Sequence, residues 1–115
     1  MKGILKGNEI RKENGCAEQV RSDLKEIRYY YQRKRIFDAA NGLIGENRAV
    51  VIAERYNRAI CKSIARLYDL YNGLYIRGLT QTAYADEIAY TPEYVQILHK
   101  QLLIYLQKEI YEKVL

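Results

Sequence analysis

Two helix starts lie eleven residues apart, at Thr80 and Thr91, in the stretch LYIRGLTQTAYADEIAYTPEYVQILHKQLLIYL from Leu74 to Leu106. Each is a hydroxyl residue able to accept a backbone N–H of the turn it opens. The second start is the stronger. Thr91-Pro92-Glu93 puts proline where its missing N–H costs nothing, and an acid at the positive end of the helix dipole. Gly78 ends the helix before the first start. Between the starts there is room for a short helix only, Gln81 to about Ile88. Beyond Thr91, Val95, Leu98, Leu102, Leu106 and Ile110 run down one face of a long helix, while Ile97, Ile104 and Tyr111 form a second stripe at seven-residue spacing. A helix that is apolar over so wide an arc is covered on more than one side, by the rest of the chain or by another subunit.

A short helix, a tight turn and a long amphipathic helix make the outline of a helix-turn-helix, whose second helix can enter the DNA major groove. Upstream the period is also helical. Val20, Leu24, Ile27 and Tyr31 recur on one face from Ala17, and Asn41-Gly42 with Gly45 punctuates the end near Ala40. A second helix from about Glu46 carries Ala49, Ile52, Ala53, Tyr56, Ile60, Ile64, Leu67 and Tyr71. It is expected to reach as far as Ile76, with Asn72-Gly73 as the place for a break or bend. Its opposite face carries Arg48, Arg55, Arg58, Lys62 and Arg66. Two such helices joined by a short glycine-containing turn form an antiparallel hairpin. The expected fold is therefore all-α: a mobile arm over 1–16, then one helical domain over 17–115, with a hairpin at 17–77 and the helix-turn-helix at 78–115.

Composition removes several classes of function. With 115 residues, one proline and seven glycines, the chain can bury a core but leaves little room for a turn-dense β fold. No apolar run approaches the roughly 20 residues that cross a bilayer, and MKGILKGNEIRKENG lacks the apolar stretch of a signal peptide. A cytoplasmic protein with no membrane partner is expected. Cys16 and Cys61 are far apart, without a CxxC, and His99 is the single histidine, so no metal site is expected. Cys61 is read as a small apolar residue within a helix. His99 is read as a surface or packing residue. No nucleophile–base set, phosphate-cradling loop or paired carboxylates point to an enzyme or a cofactor.

The net charge of +5 is unevenly spread. Residues 1–35 carry ten Lys/Arg against five Asp/Glu, whereas residues 79–115 carry three against five. The reading head is thus slightly acidic. The basic residues concentrate at Arg28, Arg33, Lys34 and Arg35, around Tyr29, Tyr30 and Tyr31. Twelve tyrosines against one phenylalanine and no tryptophan suit half-buried packing edges, with a few left for a partner surface.

The segment resembles the region-four-like helix-turn-helix of sigma factors and of small phage or prophage transcriptional regulators. Tyr75, Ile76, Gly78, Leu79 and Thr80 match the first part of that pattern. Ala85 falls at the small-residue position where the two helices cross, with Tyr84 in place of isoleucine, and Tyr90, Thr91 and Val95 match the turn and the second helix. The long helical hairpin ahead of the motif is similar in architecture to the phage regulators. The resemblance implies that exposed residues in the first two turns of the second helix contact DNA: here Pro92, Glu93, Gln96, Ile97 and Lys100. Glutamate can accept from cytosine and glutamine can pair with adenine. That helix has no arginine, and Ile97 stands where a polar reader is usual. Ala89 occupies the turn position that the family fills with glycine, so a positive φ there would carry a steric cost.

Two functions follow. The first is a sequence-specific, DNA-binding transcriptional regulator of a phage or mobile element, dimeric, that binds DNA with Thr91, Glu93, Gln96 and Lys100, the last three reading or anchoring, and with Arg28, Arg33, Lys34 and Arg35 adding phosphate contacts. The alternative is a mobile-element protein that inhibits a host machine, as anti-CRISPR inhibitors of effector nucleases do. It would keep the scaffold without base reading and bind a host protein or protein–nucleic acid complex through Tyr29, Tyr30, Tyr31, Arg33, Arg35 and Ile97.

Overall fold

The computed structural model describes residues 16–34 and 48–112, and those residues are all-α. Helix α1 spans 16–34, α2 Arg48–Ile60 and α3 Ala65–Tyr71, which widens into a π-helical turn at Asn72–Ile76. Helix α4 spans Gln81–Ile88, and α5 Pro92–Leu106 runs on as π-helix through Gln107–Glu112. The expected arm lies outside the described residues except for Cys16, which is already helical. The end of the first helix near Ala40, the Asn41–Gly45 turn and Arg35 also lie outside them.

One core joins the upstream helices to the helix-turn-helix. Val20, Leu24 and Ile27 of α1 pack with Tyr56 and Ile60 of α2, Leu70, Tyr71 and Leu74 of α3 and its extension, Tyr84 and Ala85 of α4, and Val95, Leu98, Leu102, Leu106 and Ile110 of α5. The two helix stripes expected for α1 and α5 are the buried ones. Ala85 of α4 is fully buried.

The second helix departs from expectation twice. It breaks at 61–64 rather than running through, and Cys61 sits exposed in that turn instead of within a helix. Ser63 explains the break, because its hydroxyl donates to the Ile60 carbonyl at 2.7 Å and its N–H to the same carbonyl at 3.0 Å. A serine that satisfies the chain locally competes with helix continuation. Ile64, expected on the buried stripe, takes an extended conformation and is 58% exposed. Arg66 therefore belongs to α3 and does not extend the basic face of α2.

At Asn72-Gly73 the opposite happens: the helix does not break. Gly73 is buried, and a Cβ on it would lie 2.6 Å from Cδ1 of Tyr84. Glycine here makes room for the tyrosine ring, and the widened turn keeps the chain helical. The Arg77 N–H donates to the Asn72 carbonyl at 2.9 Å, and the Leu79 N–H to the Gly73 carbonyl at 2.9 Å. Gly78 then turns the chain with φ +79°.

A buried carboxylate ties the ends of the fold together. Asp23 of α1 is 3% exposed. It accepts from Tyr56 Oη at 2.7 Å, from Tyr111 Oη at 2.6 Å and from Gln19 Nε2 at 2.8 Å. Arg55 lies over the Tyr111 ring, 5.3 Å from its centroid, and donates to the Ile110 carbonyl at 2.9 Å. Tyr111 was expected on a stripe with Ile97 and Ile104; the wider π-helical turn carries it off that line and onto the core. Ile97 and Ile104 stay outside, 56% and 53% exposed.

Candidate nucleic-acid interface

The geometry of the helix-turn-helix is set by its caps. Thr80 accepts from the Ala83 N–H at 3.1 Å and Thr91 from the Tyr94 N–H at 3.2 Å. Between them Ala89 adopts φ 61°, ψ 40°, the left-handed conformation. It is the one non-glycine residue with positive φ among the described residues. The turn is closed by the Tyr90 N–H, which donates to the Ala85 carbonyl at 3.0 Å. The steric cost anticipated for alanine at this position is thus present. Tyr90 is exposed and stacks on Tyr94, with centroids 4.5 Å apart.

Thr91, Pro92, Glu93, Gln96, Ile97 and Lys100 are all exposed. Glu93, Gln96, Ile97 and Lys100 occupy the first turns of α5 on the side away from Val95, Leu98 and Leu102, and Thr91 and Pro92 are exposed at its N-terminal end. The neighbouring surface of α4 is acidic. Asp86 and Glu87 are exposed, and Glu87 takes both its hydrogen bonds from Arg77, at 2.6 and 2.7 Å. Those bonds hold the Glu87 carboxyl below its ordinary range and raise Arg77. Arg77, the cation nearest in sequence to α4, is therefore engaged with an acid.

The basic patch of α1 does not form one surface. Arg28 turns inward and donates from Nη2 to the Gly78 carbonyl at 2.9 Å. Its Nε is buried without a hydrogen-bond partner. Arg33 lies over the exposed Tyr29 ring, 5.1 Å from its centroid, and donates to its hydroxyl. Tyr30 and Tyr31 pack against the core and meet edge to face, with centroids 5.1 Å apart. Tyr31 also accepts from Asn57 Nδ2 at 2.8 Å, and Asn57 Oδ1 accepts from Tyr71 at 2.9 Å. Lys34 is half-buried. Of the three tyrosines, Tyr29 alone faces outward.

A different basic stripe of α1 lies toward the helix-turn-helix, and the sequence reading passed over it. Arg21, Lys25, Arg28 and Gln32 follow a four-three-four spacing, which places them on one side of a helix. Arg28 reaches Gly78, and a Cβ on Gly78 would lie 2.9 Å from Nε2 of Gln32. Arg21 lies close enough to His99 of α5 for its charge to act on the imidazole. The stripe therefore runs from the middle of α5 to the entry of α4, with Arg21 and Lys25 exposed. Only the fold shows which side of α1 meets α5, although the spacing itself was visible.

His99 is half-buried, and its Nε2 shares a hydrogen bond with the Tyr75 hydroxyl. Burial, then the charge of Arg21, lowers its pKa. Burial pushes Tyr75 up to about 12, against the opposing charge of Arg28. No three His, Cys, Asp or Glu side chains cluster as metal ligands among the described residues. No described helix is long and apolar enough to cross a membrane. Comparison with known protein families, curated proteins and solved structures returned no match.

Proposed function

We propose that this protein binds double-stranded DNA through α4 and α5, and serves a phage or mobile element as a transcriptional regulator. Helix α5 enters the major groove by its first two turns. Glu93 and Gln96 face base edges, Ile97 meets a thymine methyl, and Thr91 and Lys100 lie toward the backbone. The observation that carries this reading is the placement of the α1 stripe. A reader helix with Lys100 as its only cation holds phosphate poorly; Arg21 of α1 acts on His99 of that helix, and the exposed Lys25 follows Arg21 on the same side of α1.

Selection of binding sites from a random duplex pool at physiological salt tests the reading. The expected outcome is a recurrent motif bound at least about a thousandfold tighter than a scrambled duplex. The salt dependence then locates the phosphate contacts. Lys100 alone gives a slope of log K against log salt near −1, whereas Lys100 with Arg21 and Lys25 gives about −3. Changing Arg21 and Lys25 together to alanine should return the slope to about −1 without altering the preferred sequence. Weak binding that is indifferent to sequence overturns the regulator.

The exposed Tyr29–Arg33 pair supports a second reading, as an inhibitor of a host nucleic-acid machine. A guanidinium stacked on an exposed tyrosine is a frequent anchor of protein interfaces. On that reading Tyr29→Ala abolishes inhibition of the target, and changes at Gln96 and Lys100 are silent.

A further inference from the structure

DNA contact accounts for the start of α5 but not for its middle. Ile104 lies thirteen residues beyond the Thr91 cap, about 20 Å along the axis at 1.5 Å per residue, outside the two turns that read a groove. It is nevertheless 53% exposed, on the same outward line as Ile97 at 56%. Neither isoleucine is part of the buried core, and Lys108, one turn further on, is exposed as well. The outward line of α5 therefore reads Glu93, Ile97, Ile104, Lys108, with Lys100 and Gln101 between the isoleucines.

This line is complementary to itself when reversed. About a two-fold axis passing between Lys100 and Gln101, Ile97 meets the partner's Ile104, and Glu93 meets the partner's Lys108. Lys100 then meets the partner's Gln101. Each contact occurs twice, as an isologous interface demands. A parallel arrangement sets Glu93 against Glu93, Lys100 against Lys100 and Lys108 against Lys108, and like charges facing one another are unfavourable. Charge thus selects the antiparallel pairing, and the two isoleucines of each copy supply the apolar contact that water otherwise faces.

We propose that a second copy of this chain docks antiparallel on the outward face of α5, forming a dimer centred between Lys100 and Gln101. The proposal concerns the free protein and stands or falls separately from DNA binding. Where α5 does read DNA, the dimer covers the reading face, so the two states exclude one another.

Sedimentation equilibrium of the full chain, without DNA, between about 1 and 200 µM tests this, a range that detects micromolar association. Wild type is expected to approach twice its 13.5 kDa monomer mass. Ile104→Lys and, separately, Ile97→Lys should weaken the dimer at least tenfold, with helix content by circular dichroism unchanged because both sites are exposed. Glu93→Lys and Lys108→Glu should each weaken it severalfold at low salt, and the double variant Glu93→Lys/Lys108→Glu should restore it. A wild type that stays monomeric throughout overturns the proposal. So does a dimer that survives both isoleucine changes, or charge variants whose combination restores nothing.

Discussion

Replacing Ala89 by glycine tests the helix-turn-helix at its most strained residue. Ala89 holds φ 61° and ψ 40°, where its Cβ crowds the following carbonyl. That conformation costs an L-residue roughly 1–2 kcal/mol. Glycine removes the cost, but gains about 0.4–1 kcal/mol of extra freedom in the unfolded chain, which opposes the gain. The methyl is exposed, so its loss forfeits little packing. The difference leaves Ala89→Gly more stable by about 0.5–1 kcal/mol, or roughly 2–4 °C in Tm for a domain of this size. Urea unfolding followed by circular dichroism reads it, with the midpoint rising and the slope unchanged. The hydrogen bond from the Tyr90 N–H to the Ala85 carbonyl remains, since both partners are backbone. A variant of equal or lower stability would mean that the turn does not hold a left-handed residue at position 89.

Gly73→Ala should act in the reverse sense, because its Cβ would stand 2.6 Å from Cδ1 of the buried Tyr84. Overpacking of about 1–3 kcal/mol outweighs the gain in helix propensity, and thermal unfolding should show a net loss. Tyr111→Phe removes one of three donors to the buried Asp23 carboxylate, and should cost about 1–2 kcal/mol in urea unfolding. Hydrogen exchange should speed up over 107–112 in that variant before the rest of the core responds. His99 has a folded pKa below its unfolded value, so the unfolded chain binds more protons as pH falls below about 6.5. Its contribution is complete above that pH and is lost on acidification toward the folded pKa. His99→Gln should accordingly flatten the stability–pH curve in that window, and an unchanged curve would refute the linkage.

What the sequence disclosed, and what it hid, divides along physical lines. The caps at Thr80 and Thr91 and the stripes Val20–Leu24–Ile27 and Val95–Leu98–Leu102 were legible because they depend on residue type and on a 3.6-residue period. The break at Cys61–Ile64 was not, since no glycine or proline marks it and its cause is one serine hydroxyl folding back on Ile60. The absence of a break at Asn72-Gly73 was hidden for the converse reason. That glycine serves a tertiary contact with Tyr84, and local punctuation gives no sign of one. The candidate interface followed the same rule. Exposed positions on α5 follow from the helix phase, but the side of α1 that meets α5 is decided by packing. Arg28 was therefore grouped with Arg33 and Lys34 by proximity in sequence, whereas it belongs with Arg21 and Lys25 by side of helix.

That regrouping bears on how a slightly acidic reading head could work at all. Asp86 and Glu87 on α4 would repel a phosphate backbone, and the Arg77–Glu87 pair neutralises one charge of each sign. On the proposed DNA-binding reading, attraction would come from an element outside the motif, and α1 is joined to it through the Arg28–Gly78 hydrogen bond. Arg28 contributes by fixing the Gly78 carbonyl at the entry of α4, a positioning role, while Arg21 and Lys25 carry the exposed charge. The buried Asp23 hub fastens the same helix to α2 and to the end of α5. The stripe is thus held relative to Gln96 and Lys100 by these hydrogen bonds and by the shared core. The register of α1 on α5, set by Val20, Leu24 and Ile27 in the core, would then determine how the flanking charges meet the DNA backbone.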